Sequence, residues 1–204
     1  MKDERETKDK LLISAKQEFL EKGYQKASLR NICKNAGVTT GALYFFFQDK
    51  EDLFASIVQP SLDRIIAMLS QHTKQELMEL QEHPDAQEDN MQRWSATKAI
   101  LDVLYGDYDN ILLILTKSQG SRYEHCVDEF VDMLQQSYRV LSAEQAKRMG
   151  VKPPDDYTLH WVSHIQIDAF VQLILHEPDK VKALEHLESI LRYLLAGWMA
   201  LFEK

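Results

Sequence analysis

The chain is 204 residues long, 45% hydrophobic and 27% charged, with seven glycines and five prolines, enough apolar material for a real core and too few breakers for a many-turned sheet protein. Net charge is -8 but uneven: residues 1–50 carry ten Lys/Arg against seven Asp/Glu, and the remainder carries 14 against 25, so a polyanion-facing end can only be the amino-terminal one. Two cysteines, Cys33 and Cys126, without CxxC spacing argue against a disulfide framework or zinc finger, and the absence of a secretory apolar run or of about 18 uninterrupted apolar residues predicts a cytoplasmic protein without a membrane span.

Apolar residues recur at helical spacing along the whole chain. Leu11, Leu12, Ala15 and Phe19 predict a helix over 7–22 that Gly23 stops. Ser28 has the chemistry of an N-cap, and Leu29, Ile32, Cys33 and Ala36 continue a second helix ended by Gly37. Cys33 reads as a small buried apolar residue. Thr39 can cap a short third helix with Leu43, Phe46 and Phe47 on its buried face. Asp49 caps a fourth, with Glu51 and Asp52 where the helix dipole favours them. That helix persists to about Leu80, and Pro60 inside it predicts a kink or break.

HPDAQEDN (83–90) reads as a polar, solvated loop. A helix around 91–105 is broken by Gly106 and the cluster Asp107–Asn110, and the apolar run Ile111–Leu115 follows. The next helix is expected over about 122–148, before a linker at Gly150, Pro153 and Pro154. Residues 155–176 are apolar on nearly every face, which predicts burial on several sides. Asp168 interrupts them, and a buried carboxylate needs a partner: an internal Arg, Lys or His, or a ligand. Residues 179–203 form one broad stripe from Leu184 to Phe202. No strand or internal repeat is predicted.

The most informative stretch is SLRNICKNAGVTTGALYFFFQDKEDL, residues 28–53. It reads as a helix, a glycine turn, a short helix with small polar residues at its start, and an aromatic cluster leading into a further helix. That is the layout of a DNA-reading helix-turn-helix. Gly41 would let backbone approach DNA closely, threonine hydroxyls can bond phosphate or base edges, and an alanine can meet a thymine methyl. With SLRNICKNAGV at 28–38, GALYFFF at 41–47 and DKEDLF at 49–54, the segment 7–58 resembles the tetracycline-repressor (TetR) family of bacterial transcription regulators. The remainder is similar only in length and helical pattern.

The resemblance implies a DNA-binding domain at 1–50 and a ligand-binding and dimerisation domain at 51–204. It implies that Ser28 and Arg30 lie near the DNA backbone, and that Thr39, Thr40, Gly41 and Ala42 face base edges and phosphates. Tyr44 would touch a phosphate or a thymine methyl, and Lys50 a phosphate beside a helix N-terminus. Position 40, often Lys in the family, is Thr40 here. Phe45 joins the DNA-facing set as part of a base-stacking platform, or else packs as a core ring.

Trp94, Tyr105, Tyr108, Tyr123, Met133, Trp161, His164 and Asp168 are the candidates to line a ligand cavity, since such sites in helical bundles are apolar with a few polar groups. His160 and His164 share a helix face four residues apart, yet no metal motif surrounds them, so neither metal nor cofactor is expected. Nucleophile elbow, phosphate-binding glycine loop and metal-ligand spacing are all missing, so no enzyme is expected. The expectation is an all-α protein with a three-helix DNA-binding head and a larger helical domain. Two copies would join through the last two helices and read a palindromic operator as a repressor, which a small-molecule inducer releases. The competing reading is an all-helical ligand-binding protein or enzyme without sequence-specific DNA binding.

Overall fold

The computed structural model describes residues 2–82 and 90–203, with side chains for these except 2–3 and 90–96. Nine helices appear among the described residues, and no strand: α1 (Lys2–Lys26), α2 (Leu29–Ala36), α3 (Thr40–Phe46), α4 (Lys50–Glu82), α5 (Asn90–Gly106), α6 (Tyr108–Lys117), α7 (Cys126–Met149), α8 (Asp156–His176) and α9 (Lys180–Ala200). Of the polar loop expected at 83–90, residues 83–89 lie outside the described residues.

The helix ends follow local chemistry. Ser28 caps α2, with its hydroxyl accepting from the Asn31 N–H, and Gly37 closes that helix in the left-handed region at φ 68°. Gly23 leaves helical geometry at φ 75° and ψ 160°, after which one more helical turn runs to Lys26. Asp155 and Asp179 cap α8 and α9 by accepting backbone N–H groups of the first turn. One residue, Asp107, suffices to separate α5 from α6.

Pro60 does not break α4, which is helical from Lys50 to Glu82. Proline removes a single intrahelical bond, and Pro60 is exposed, so that bond is missing on the wetted side. On the other side α6 braces the same turn. Asn110 Nδ2 donates to the Ile57 carbonyl and the Ser61 hydroxyl, both at 3.2 Å. Ser61 Oγ donates to Asp107 Oδ2 at 2.9 Å, and Arg64 pairs with the same carboxylate.

By compactness the chain falls into two units. One unit holds residues through Arg64 together with Asp107–Cys126; the other holds Ile65–Gly106 and Val127–Lys204. In the first, Leu11, Ala15, Phe19, Ile32, Leu43, Phe47, Leu53, Phe54 and Val58 are almost wholly buried. Phe54 meets Phe19 edge-on at 4.9 Å and lies 5.8 Å from the Tyr123 ring. Cys33 is buried as expected, which pushes its thiol pKa up.

In the second unit, Leu101, Leu173, Ala183 and Leu187 make a core cluster, with Tyr105 and Phe170 against it. Arg139 grips Asp156 with two bonds of 2.6 and 2.7 Å. Tyr138 donates to Gln166 and lies 4.6 Å from the Trp198 ring. The expectation that α8 is buried on several sides is not met within one chain. Leu159, Ser163, Leu173 and Ile174 are buried, but Tyr157, Trp161, His164, Asp168, Gln172 and Leu175 form an exposed stripe. Among the described residues one helix, Lys50–Glu82, is long and apolar enough to cross a membrane; 44% of its most apolar window is buried in the protein.

Candidate nucleic-acid interface

The short helix α3 is held by contacts on its inner side and by caps at its ends. Thr39 has extended backbone, and its Oγ1 accepts from the Ala42 N–H at 3.1 Å. Leu43 is fully buried, and Phe47 just past the helix is 2% exposed. The Phe47 N–H closes the last turn on the Leu43 carbonyl at 2.9 Å. The next helix begins at once: Asp49 Oδ1 accepts from the Asp52 N–H at 2.8 Å, and Asp52 reaches back to the Gln48 N–H at 2.9 Å.

What α3 leaves outward is the set that the sequence singled out. Thr39, Thr40, Gly41, Tyr44 and Phe45 are exposed, Ala42 is half-buried, and Phe45 is the most open of the apolar side chains here at 72%. Phe46 is half-buried, less than expected, since it ends the helix with its ring edge-on to Phe45 at 5.0 Å. Arg30 is exposed on α2, two residues after the cap at Ser28. Gly41 has an ordinary helical backbone, and a Cβ there would meet only Thr39 Oγ1 at 3.8 Å. Nothing inside the protein requires a glycine at that position.

Lys50 has a second occupation that its sequence position did not reveal. Its ammonium donates to the carbonyls of Gln25 at 3.2 Å and Ala27 at 3.5 Å, and lies 4.6 Å from the Tyr24 ring centre. It therefore ties the start of α4 to the end of α1. Beside it the Tyr24 hydroxyl donates to Glu51 Oε2 at 2.8 Å; burial, with this carboxylate adding to it, pushes the phenol well above its ordinary pKa. The other Glu51 oxygen accepts from the Arg122 N–H at 3.4 Å.

Two positioning residues escaped the sequence reading. Glu18 is only 6% exposed, and its carboxylate accepts from the Ser28 N–H at 3.1 Å and Asn31 Nδ2 at 3.4 Å, which fixes the entry to α2. Ser14 Oγ donates to the Ile32 carbonyl at 2.8 Å. The available signal was a charge on the stripe Leu11, Ala15, Phe19, one position from its line.

The ligand candidates fall in both compact units. Tyr108 and Tyr123 belong to the first compact unit; Tyr105, Met133, Trp161, His164 and Asp168 belong to the second, and the side chain of Trp94 lies outside the described residues. Tyr123 is buried, donates to Gln59 Oε1 at 2.6 Å and accepts from Arg122 at 2.6 Å. Tyr105 donates to the Glu177 carbonyl. Trp161 is 57% exposed, and His164 is exposed. Asp168 is not buried, and no cation among the described residues pairs with it: it is exposed and accepts from Gln172 Nε2 one turn on at 3.2 Å. Hydropathy placed it in a buried helix, but it lies on that helix's open stripe. His160 Nδ1 lies 3.0 Å from Gln135 Oε1, and no group of three or more His, Cys, Asp or Glu among the described residues could hold a metal.

A capped short helix on a buried scaffold, with small and aromatic residues outward and a glycine turn before it, defines a helix-turn-helix DNA-binding domain. Residues 11–57 match the family described as "Bacterial regulatory proteins, tetR family". Residues 11–57 thus carry the amino-terminal domain that this family shares.

The chain is similar to the HTH-type transcriptional repressor BepR of Brucella suis, 49% identical over 53 residues, which are 26% of this chain and 25% of that protein. It is also similar to the HTH-type transcriptional regulator AcrR of Shigella flexneri, 43% identical over 60 residues, 29% of this chain and 28% of that one. These matches span about a quarter of the length of the curated relatives. The fold extends further: a transcriptional regulator (TerR/AcrR family) from Aquifex aeolicus superposes with a TM-score of 0.59 over 92% of this chain and 99% of its own, at 23% identity.

Proposed function

We propose that the chain is a ligand-responsive transcriptional regulator, a repressor that reads a palindromic operator as a homodimer and leaves it when a small molecule binds. The observation that carries this reading is the outer surface of α3. Its threonines, Gly41, Tyr44 and Phe45 are presented to solvent by a helix whose inner side is locked, and the glycine answers no need of the protein interior. Close approach of a nucleic-acid backbone supplies that need. The relatives that share this domain are an HTH-type transcriptional repressor and an HTH-type transcriptional regulator, which supports the regulatory sense.

Two copies follow from the reading mode. One short helix touches too few base pairs, whereas two helices about 34–36 Å apart meet successive major grooves of a palindrome. The open stripe of α8, with Trp161 and Leu175, and the half-buried apolar residues of α9 support an interface there. In this division of tasks residues 1–50 read DNA, and 51–204 bind the inducer and pair the chains, in the bacterial cytoplasm and without catalysis.

The inducer shifts α4 and with it the reading helix, by binding one conformation more tightly than the other. Couplings of about 1–3 kcal/mol change operator affinity by roughly 5–150-fold. A gel shift with the duplex upstream of the chain's own gene, across a salt series, tests the reading. The expected result is binding that weakens steeply as salt rises. A folded protein that binds no palindromic duplex at any salt would leave the competing reading, a helical ligand-binding protein or enzyme.

A further inference from the structure

Phe45 is an apolar ring held out in solvent on the reading helix. It is 72% exposed, yet it is braced. Its ring meets Phe46 edge-on at 5.0 Å and 86°, and Phe46 lies 6.4 Å from Phe47, which is buried. A row of three rings thus runs from the domain core to the outer surface. Tyr44 beside it is 58% exposed and carries a hydroxyl that can bond a phosphate; Phe45 has no donor or acceptor at all.

Phosphate oxygens and most base-edge groups offer such a ring nothing. The apolar feature that a base edge shows in the major groove is the thymine C5 methyl. Wedging between bases is an alternative use of a phenylalanine, but wedges of that kind work from the minor groove and unstack a base step, while a recognition helix lies in the major groove.

We propose that Phe45 reads one thymine C5 methyl in each half-site, and so determines specificity rather than general affinity. This rests on the regulator reading, and the test separates the two. A randomised duplex pool is selected with the full-length protein, and each thymine of the recovered consensus is replaced in turn by deoxyuridine, which removes only the methyl group.

In the wild type, one symmetric pair of positions is expected to weaken binding about fourfold per half-site, the worth of one buried methyl-sized group. Phe45→Ala should bind thymine and uracil duplexes equally, whatever its overall affinity. Phe45→Leu, which keeps an apolar contact, should retain part of the preference. Both variants should melt like the wild type, because the ring lies outside the core. The proposal is overturned if no thymine discriminates, if the discrimination survives in Phe45→Ala, or if Phe45→Ala loses the same factor on thymine and uracil. A pool that yields no consensus overturns the regulator reading, and this inference with it.

Discussion

Gly41 occupies a helix position where alanine would fold better. Its backbone is ordinary, and a methyl group would meet nothing closer than 3.8 Å. Gly41→Ala should therefore raise stability by about 0.5 kcal/mol, yet weaken operator binding by about tenfold or more, as an overfilled contact of about 1–3 kcal/mol implies. A melting curve beside a binding isotherm checks both halves; a variant both stabler and fully binding would take Gly41 off the reading surface. Tyr44→Ala and Lys50→Ala divide differently. The first should lose DNA affinity at unchanged melting temperature, since Tyr44 is exposed. The second should lose affinity and about 1 kcal/mol of stability, since the ammonium also holds the Gln25 and Ala27 carbonyls. Unchanged affinity in both would overturn their assignment to DNA. At this scale the sequence was a good guide to which residues face outward on α3, because a seven-residue helix with one buried leucine leaves little choice. It was a poor guide to Glu18, Lys50 and Asp168, whose partners or exposure depend on which helix lies beside them.

Helix boundaries were legible because their causes are local. Ser28, Thr39, Asp49, Asp155 and Asp179 each accept an N–H two or three residues on, and Gly23 and Gly37 take the positive φ that ends a run. Continuity through Pro60 was not legible, since it depends on Asn110 and Asp107, about fifty residues away. The burial of α8 was misjudged for a related reason: hydropathy says that a face wants cover, not which chain provides it. The start of α8 carries its own pH signature. The Thr158 N–H holds the Asp155 carboxyl below its ordinary pKa, and Arg139 does the same for Asp156. A carboxylate whose pKa is lowered by folding adds stability above its unfolded value near 3.8, and loses it as pH falls through the lower folded value. The Thr158 amide resonance should titrate with a midpoint below that value, and Asp155→Asn should abolish the transition. A midpoint at or above it would mean the cap is not formed in solution. Both carboxylates are solvent-exposed, so the effect on global unfolding should be small.

For the whole molecule, the single chain leaves Trp161, Leu175 and Tyr157 of α8 and Tyr193 of α9 open to water. On the proposal made above, a second copy covers the α8 stripe. The double variant Trp161→Glu, Leu175→Glu should then elute with the mass of one chain in light-scattering chromatography and should lose operator binding. A mass of two chains would place the interface elsewhere. The all-helical architecture was readable from period alone. The membership of the compact units was not, because the first unit recruits Asp107–Cys126 from far along the chain, and long-range pairing leaves no periodic trace. The unneeded glycine of α3 has a genetic corollary. On the pairing proposed above, a Gly41→Ala chain would still fold and still pair, so in a cell making both forms most assemblies would contain at least one blind half. Such an allele would act dominantly over the normal gene, whereas a core-breaking allele would be recessive.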